Sequence, residues 1–541
     1  MPKITALELE NFQTIGARTV IPIRDLTLVF GPNGAGKSAI FDAIHLLQLV
    51  TGSDWGRNCE HLTEVLERHC RKAPTNTHPS TVGAGIQLDL DESWDSDFLE
   101  WESINFIDRV HYASIRPTSD YGIHFCGKSV RFFVRYRRLD PVFVGWALDG
   151  LSVSIGDTPV LHAQSVDGSP RVSVCIWKQD WISFEEAERL ARESDCAIGT
   201  SDNSLTGPLL ARVREGTERD WFHSLDYSGG KAEAEFIALA MDITNFFKAI
   251  VKESLIPITA VNASRTVPSI RETVAIVSGE NFTDSKKKTV RGARLDQSAL
   301  LSTIAAQVNV GDPHWREMCK AVSSPIDHDD DALEYWDQPI LQRINGFLQD
   351  ELFIENGYQL KAEIFYVAQP DEYGDLPYED SRTYPKLVRL YLVDHQQRTL
   401  LFEDVGSGIG YVLPVLTSLA SDDISLIQQP ELHLHPALQS KLGDVVIKAV
   451  ENKAFDRAFT LIETHSEHLL LRVMRLIKNA QERSEEVLDP ITYERVAILY
   501  FDPSVSGETK VRRLRLAPDG QLIDRWPGGF FKERLRDIFD E

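Results

Sequence analysis

Short apolar runs of period two alternate along this chain with stretches of helical period, an order that predicts a mixed α/β protein. Residues 3–30 carry two strand patterns, ITALELENF and a second run ending in LTLVF at 26–30. A glycine-rich turn follows at 31–38, and SAIFDAIHLLQLV continues with apolar positions at helical spacing. TVGAGIQLDL at 81–90 reads as a further strand. Between 129 and 177 the alternation returns in SVRFFVRY, PVFVGWAL, LSVSIG and RVSVCIW, which predicts a strand-rich segment. Helical signals then take over. Ser183 with Glu186 fits a capping box, and Phe236, Ala240, Ile243, Phe247 and Ile250 fall on one helical face. From about 336 a helix (PILQRINGFLQDEL) and two strands (YQLKAEIFYV, KLVRLYLV) open a second ordered region.

Composition narrows the class. At roughly 150 residues per domain the length corresponds to roughly three to four domain equivalents. An apolar share of 43% is ordinary for a chain that buries a large core. The net charge of −24 argues against a surface that coats nucleic acid or anionic membrane, and leaves room only for a local basic patch. Glu8 and Glu10 interrupt the start where a secretory segment needs unbroken apolar residues. The most apolar long stretch, 232–251, holds Glu233, Glu235, Asp242, Asn245 and Lys248, so it is not expected to cross a bilayer. Six cysteines without a CxxC pair read as reduced thiols, and a cytoplasmic location is the expectation.

The strongest chemical signal is GPNGAGKS, in which Gly31, Gly36, Lys37 and Ser38 fill a P-loop pattern between a hydrophobic strand and a helix. Backbone N–H groups of Asn33, Gly34, Ala35 and Gly36 are placed to turn toward phosphate oxygens, with the helix N-terminus behind them. Lys37 then reaches the β/γ-phosphates and the Ser38 hydroxyl ligates Mg²⁺, so ATP and Mg²⁺ are the expected cofactors. Far downstream stand EDVGSGIG at 403–410 before an apolar helix, then ISLIQQPELHLHP, and then the strand AFTLIETHS carrying His465.

That order of motifs resembles the ATP-binding-cassette heads related to structural-maintenance-of-chromosomes (SMC) proteins. PELHLHP, THSEHLLLR and the C-terminal WPGGFF narrow the resemblance to a bacterial group that includes the nuclease-fused overcoming-lysogenization-defect family and the PtuA ATPase subunits of the anti-phage Septu systems and Septu-associated retrons. The likeness covers roughly 1–50 and 340–541. It implies an α/β fold: an ABC-type P-loop ATPase head split into two lobes (1–94 and 336–541) by an α+β insertion (95–335). It also assigns Ser407 and Gly408 to the signature that meets the γ-phosphate from a partner subunit, and His465 to the γ-phosphate-sensing histidine. Gln428 falls at the Mg²⁺-supporting acid and Gln429 at the water-polarising glutamate. Glutamine orients water but accepts no proton, so general-base help worth about 10²–10⁴-fold is missing. The doubled glutamine implies either a slow ATPase or a substitution that blocks hydrolysis. Glu431 is the nearest carboxylate for a substitute base, or else an acid that caps its loop.

The resemblance further implies a head-to-head dimer in an anti-phage complex that controls a separate HNH nuclease, with a retron reverse transcriptase and its DNA product as further partners. A stand-alone DNA-repair ATPase and a nucleotide-dependent scaffold are the alternatives. His433 and His435 form an HxH pair on the loop that meets the partner, which favours an interface over a metal site. Three basic clusters are candidates for a nucleic-acid or partner contact: Arg131 to Arg138 on an aromatic strand, Lys286 to Arg294, and Lys510 to Arg515, the second being the strongest because its stretch is polar. The Q-loop region, IPITAVNASR at 256–265, offers Asn262 and Arg265 instead of a glutamine.

Overall fold

Strand β3 (Leu26–Phe30) is buried at every position, as a parallel strand covered on both faces must be. In the computed structural model it lies inside a six-stranded sheet. The model describes residues 2–51, 59–70, 81–90, 128–138, 146–165, 171–177, 204–212, 247–255, 257–265, 274–277, 318–319, 339–366, 386–400, 402, 405–453, 458–480, 490–505 and 507–527. Ser183, Glu186, Phe236, Ala240, Ile243 and the Lys286–Arg294 cluster lie outside them.

Two strands precede β3, namely β1 (Lys3–Glu10) and β2 (Thr19–Pro22), and helix α1 (Ala39–Thr51) and α2 (Cys59–His69) follow it. Next come β4 (Thr81–Asp89), β5 (Ser129–Arg138), β6 (Trp146–Ile155), β7 (Thr158–Ser165), β8 (Arg171–Trp177) and β9 (Ser204–Arg212). These build one antiparallel sheet in the order β2-β1-β4-β5-β6-β7-β8-β9. The segments PVFVGWAL and LSVSIG contribute to a single strand, β6, rather than two. The expected lobe boundary at 94 therefore falls within a continuous sheet: β5 pairs with β4 along Asp89↔Ser129 to Thr81↔Arg137.

The remaining elements are β10 (Ile258–Val261), β11 (Val274–Val277), α3 (Pro339–Gly346) running into a π-helical turn (Phe347–Leu352), β12 (Gln359–Tyr366), β13 (Lys386–Val393), β14 (Thr399–Leu400), α4 (Ser407–Ala420), β15 (Ile424–Gln428), α5 (Pro436–Glu451), β16 (Thr460–Glu463), α6 (Glu467–Lys478), β17 (Val496–Pro503) and β18 (Thr509–Leu514). The central sheet runs β10-β15-β16-β3-β17-β18, parallel except for the β17–β18 hairpin. This is an α/β P-loop fold of the type the motifs predict. Consecutive residues of its strands feed opposite cores. Val29, Leu426, Leu461 and Leu499 pack with α1, the antiparallel sheet and the helical segment holding Phe247 and Ile250. Leu28, Ile427, Ile462 and Ile498 pack with α3, α4, α5 and α6. Among the described residues no helix is long and apolar enough to cross a membrane.

Candidate nucleotide site

The three sequence-distant motifs meet because strand order brings their ends to one edge. In a parallel sheet the carboxyl ends of the strands line a common crevice, where ligands bind in α/β folds. Here β3 delivers the P-loop, β16 delivers Glu463, Thr464 and His465, and β15 delivers Gln428 and Gln429. The middle position belongs to β16, so the end of β15 is one strand removed from the P-loop.

The loop from Gly31 to Ser38 needs its glycines. Gly31 has φ +147, and a Cβ there would lie 2.7 Å from the Phe501 carbonyl oxygen on β17. Gly36 has φ +79, and a Cβ would stand 2.0 Å from the Thr14 hydroxyl oxygen. Gly34 opens into free space, the side on which a phosphate chain can lie. The loop is braced from behind by Thr14 and Thr509, whose hydroxyls both donate to the Ala35 carbonyl, at 3.1 and 2.8 Å. Helix α1 starts directly after Ser38, with Ala39 N–H bonded to Gly36 O. Its N-terminal dipole therefore faces the loop.

Lys37 folds back over this cradle. Its ammonium donates to Gly31 O at 3.0 Å and Pro32 O at 3.1 Å and pairs with Glu463 at 3.6 Å. The Ser38 hydroxyl donates to the other Glu463 oxygen at 3.1 Å. Burial pulls the Lys37 ammonium below its ordinary value, and the Glu463 carboxylate opposes that pull. Burial likewise pushes the Glu463 carboxyl above the usual carboxylate range against the attraction of Lys37. At His465, burial and then the Lys37 ammonium hold the imidazole below its ordinary value, so it is neutral near pH 7.

The two glutamines at the end of β15 are held by backbone groups. Gln428 turns its side-chain oxygen to the Ala263 N–H at 3.4 Å. Gln429 sits in the left-handed region at φ +46, with its N–H bonded to the Glu463 carbonyl at 2.7 Å. Beneath both turns lies Arg265, 2% exposed, which donates to the carbonyls of Tyr411, Asn262, Gln428 and Gln429 at 2.8–3.1 Å. One buried guanidinium thus ties the expected Q-loop segment to β15 and α4. Glu431 accepts from the Thr464 hydroxyl (2.8 Å) and the His465 N–H (2.7 Å), and burial pushes its carboxyl up. Both of its oxygens are thus engaged by the Thr464–His465 segment, as a loop-capping acid would be.

Ser407 and Gly408 begin α4 at an N-terminus with no side-chain cap. Gly408 is packed so closely on the PELHLHP loop that a Cβ would meet His433 O at 3.0 Å. Among the described residues no hydrogen bond or ion pair joins Ser407 or Gly408 to the P-loop. His433 stacks on Tyr411, with centroids 4.1 Å apart, and His435 caps α5 by accepting from Ala437 N–H at 3.3 Å. Three of the four β5 arginines are engaged, Arg135 and Arg137 with Asp149 and Arg138 with Glu67, while Arg131 is exposed. That leaves the strand amphipathic rather than a phosphate ladder. In the third cluster Arg512 pairs with Asp502 and Arg515 with Asp524. Trp526 of the WPGGFF segment lies edge-on to Phe30 and Tyr500, closing the outer core under the P-loop strand.

Sequence reasoning missed Glu463. Its signal was present, since the only acid in the run TLIETHS ends a strand directly before Thr464 and His465.

Three family models match the chain. One, described as an AAA domain, putative AbiEii toxin, type IV TA system, covers residues 210–472. An AAA domain model covers 6–92 and includes the P-loop, and a protein of unknown function (DUF3696) covers 491–540. Among curated proteins, structural maintenance of chromosomes protein 1 of Schizosaccharomyces pombe is 32% identical over 96 residues, 17% of this chain and 8% of that protein. The chromosome partition protein Smc of Gloeobacter violaceus is 36% identical over 86 residues, 15% of this chain and 7% of that one. The chain thus spans less than a tenth of the curated relatives it matches. Among solved structures, an Smc head bound to the C-terminal winged-helix domain of ScpA aligns over 95% of this chain and 98% of its own, at 11% identity and TM-score 0.38. The SMC head of Thermotoga maritima aligns at 9% identity and TM-score 0.34, over 95% of this chain and all of that one. AAA-domain models thus match this chain both at the P-loop and across the strands β15 and β16 that carry the distant motifs, in keeping with a P-loop nucleotide fold.

Proposed function

We propose that this chain is an ATP-binding switch subunit of a prokaryotic defence complex, which holds the nucleotide and turns it over slowly. The reading rests on one observation: a complete P-loop cradle, with Lys37 buried over it, faces strand ends at which the expected acids are Gln428 and Gln429 and the nearby Glu431 is committed to the switch segment. Lys37 neutralises phosphate charge, and the loop N–H groups orient the chain of phosphates. Gln429 positions a water without taking its proton, and neutral His465 adds a hydrogen bond rather than a charge. The oxygen donors at Ser38 suit Mg²⁺, which when bound would offset charge on the β- and γ-phosphates.

Ser407 and Gly408 then complete the site of a second copy, so ATP acts as a clamp between two heads. The description of the matched family as a toxin of a type IV toxin–antitoxin system supports a defence role, and the resemblance of PELHLHP and WPGGFF supports a separate HNH nuclease as the effector.

Calorimetric titration with ATP and a steady-state phosphate-release assay test the site. Lys37→Ala should abolish measurable ATP affinity. Gln429→Glu should raise turnover about 10²–10⁴-fold over a slow native rate, because it restores a proton acceptor. Fast turnover in the native chain, or unchanged affinity in Lys37→Ala, overturns the reading. For the pathway, purification together with neighbouring gene products should bring down a nuclease, and its absence counts against the defence role.

A further inference from the structure

The Ser38 hydroxyl and a carboxylate form the oxygen pair that a Mg²⁺–nucleotide site requires, but that carboxylate stands on an unexpected strand. We propose that Glu463, at the end of β16, supplies the metal-holding carboxylate of this site in place of the residue at the end of β15. The inference rests on the nucleotide-binding reading above and specifies how that site is built.

Three observations carry it. First, Glu463 lies 3.1 Å from Ser38 Oγ and 3.6 Å from Lys37 Nζ, so it already touches both P-loop side chains that serve the nucleotide. Second, Gln428 brings a neutral amide to the end of β15, and its oxygen accepts from Ala263 N–H. Third, the sheet order sets β16 directly beside β3, with Glu463 in register with Val29 two residues before the P-loop opens, while β15 lies one strand further out. A carboxylate 5% exposed beside a lysine 4% exposed is costly to desolvate, and a cation held between carboxylate and phosphate would offset that cost. Mg²⁺ is commonly held through one or two carboxylates with phosphate and water completing the shell, so Ser38 and Glu463 with the nucleotide form a sufficient set.

The chemistry sets the sign of the test. Without metal, a carboxylate beside the phosphates repels them; with metal it holds the cation that attracts them. Affinity for a fluorescent ATP analogue is measured in EDTA and in Mg²⁺, and Mn²⁺ bound in the presence of ATP is counted by electron paramagnetic resonance. The native chain should bind more tightly with Mg²⁺ than with EDTA. Glu463→Gln should bind as well as native or better in EDTA, lose at least about tenfold of the Mg²⁺ gain, and lose the bound Mn²⁺ signal, whereas Glu463→Asp should retain part of both. Gln428→Glu on the Glu463→Gln background should restore bound Mn²⁺ only weakly, because that position faces Ala263.

An unchanged Mg²⁺ gain and Mn²⁺ count in Glu463→Gln overturns the proposal. So does equal loss of affinity in EDTA and Mg²⁺ in both Glu463 variants, which marks a purely structural ion pair. Failure of the native chain to bind the analogue under either condition overturns instead the nucleotide-binding reading, which separates the two failures.

Discussion

A single carboxylate can hold a loop or serve a reaction, and the partners of its oxygens decide which. Glu431 accepts from a hydroxyl and from a backbone N–H, both on the segment that carries His465. A glutamine there keeps one accepting oxygen and sets an NH2 group against the other donor, the costly half of a broken hydrogen bond. Glu431→Gln should therefore destabilise the fold by about 1–3 kcal/mol, read from urea unfolding, and leave slow ATP turnover nearly unchanged. A collapse of turnover with stability intact would reassign Glu431 to the chemistry. His433 and Gln429 make a related point: both sit at positive φ without being glycine, so the turn after β15 is held in a conformation that side chains disfavour.

Among elements, the central sheet is pinned at the end away from the nucleotide. Asp25, just before β3, pairs with Lys3 on β1 at 2.8 Å and with Arg495 before β17 at 2.5 Å, so one side chain joins the antiparallel sheet to two parallel strands. Burial pushes its carboxyl up, but the bonds from Lys3 and Arg495 outweigh that and hold it below the usual carboxylate range. A depressed folded-state value contributes stability above the unfolded value and loses it as pH falls through the folded one. Asp25→Asn should thus cost about 1–3 kcal/mol at pH 7. The gap from the native chain should close as pH drops below about 4, near the unfolded carboxyl value. Chemical denaturation at a series of pH values reads it, and a gap independent of pH would show that the ion pairs contribute nothing.

For the whole molecule, two surfaces compete for importance. The antiparallel sheet uses three of its four β5 arginines in pairs with Asp149 and Glu67, which leaves Arg131 as that strand's exposed cation. The exposed N-terminus of α4 offers the better contact, since Ser407 lies at a helix start with no side-chain cap. If two heads clamp ATP there, light scattering should find a dimer with ATP and Mg²⁺ that Ser407→Arg abolishes, while the affinity of the single head for ATP stays within about threefold, or about 0.7 kcal/mol. A dimer indifferent to both ATP and Ser407→Arg would refute the clamp.

How much of this was legible in the chain follows from which forces are local. GPNGAGKS announced its own turn, because positive φ and close approach need glycine wherever the segment lies, and Gly31 and Gly36 show both demands. The unbroken apolar run LTLVF likewise predicted a strand covered on both faces. The motif order foresaw an α/β P-loop fold, and the strand ends beside residues 37, 428 and 465 lie next to one another in its parallel sheet. It did not foresee that the strands of 129–177 extend the sheet begun by β1, β2 and β4, since alternation reports which face is buried and not which neighbour is paired. Nor did it find Glu463. Gln428 and Gln429 stood out as departures from a pattern, whereas an acid at the end of TLIE had no pattern to violate. Strand pairing is a long-range choice, made when apolar faces close over the sheet. It set β16 between β15 and β3, and only that placement brought the Glu463 carboxylate, 425 positions along the chain, within a hydrogen bond of Ser38.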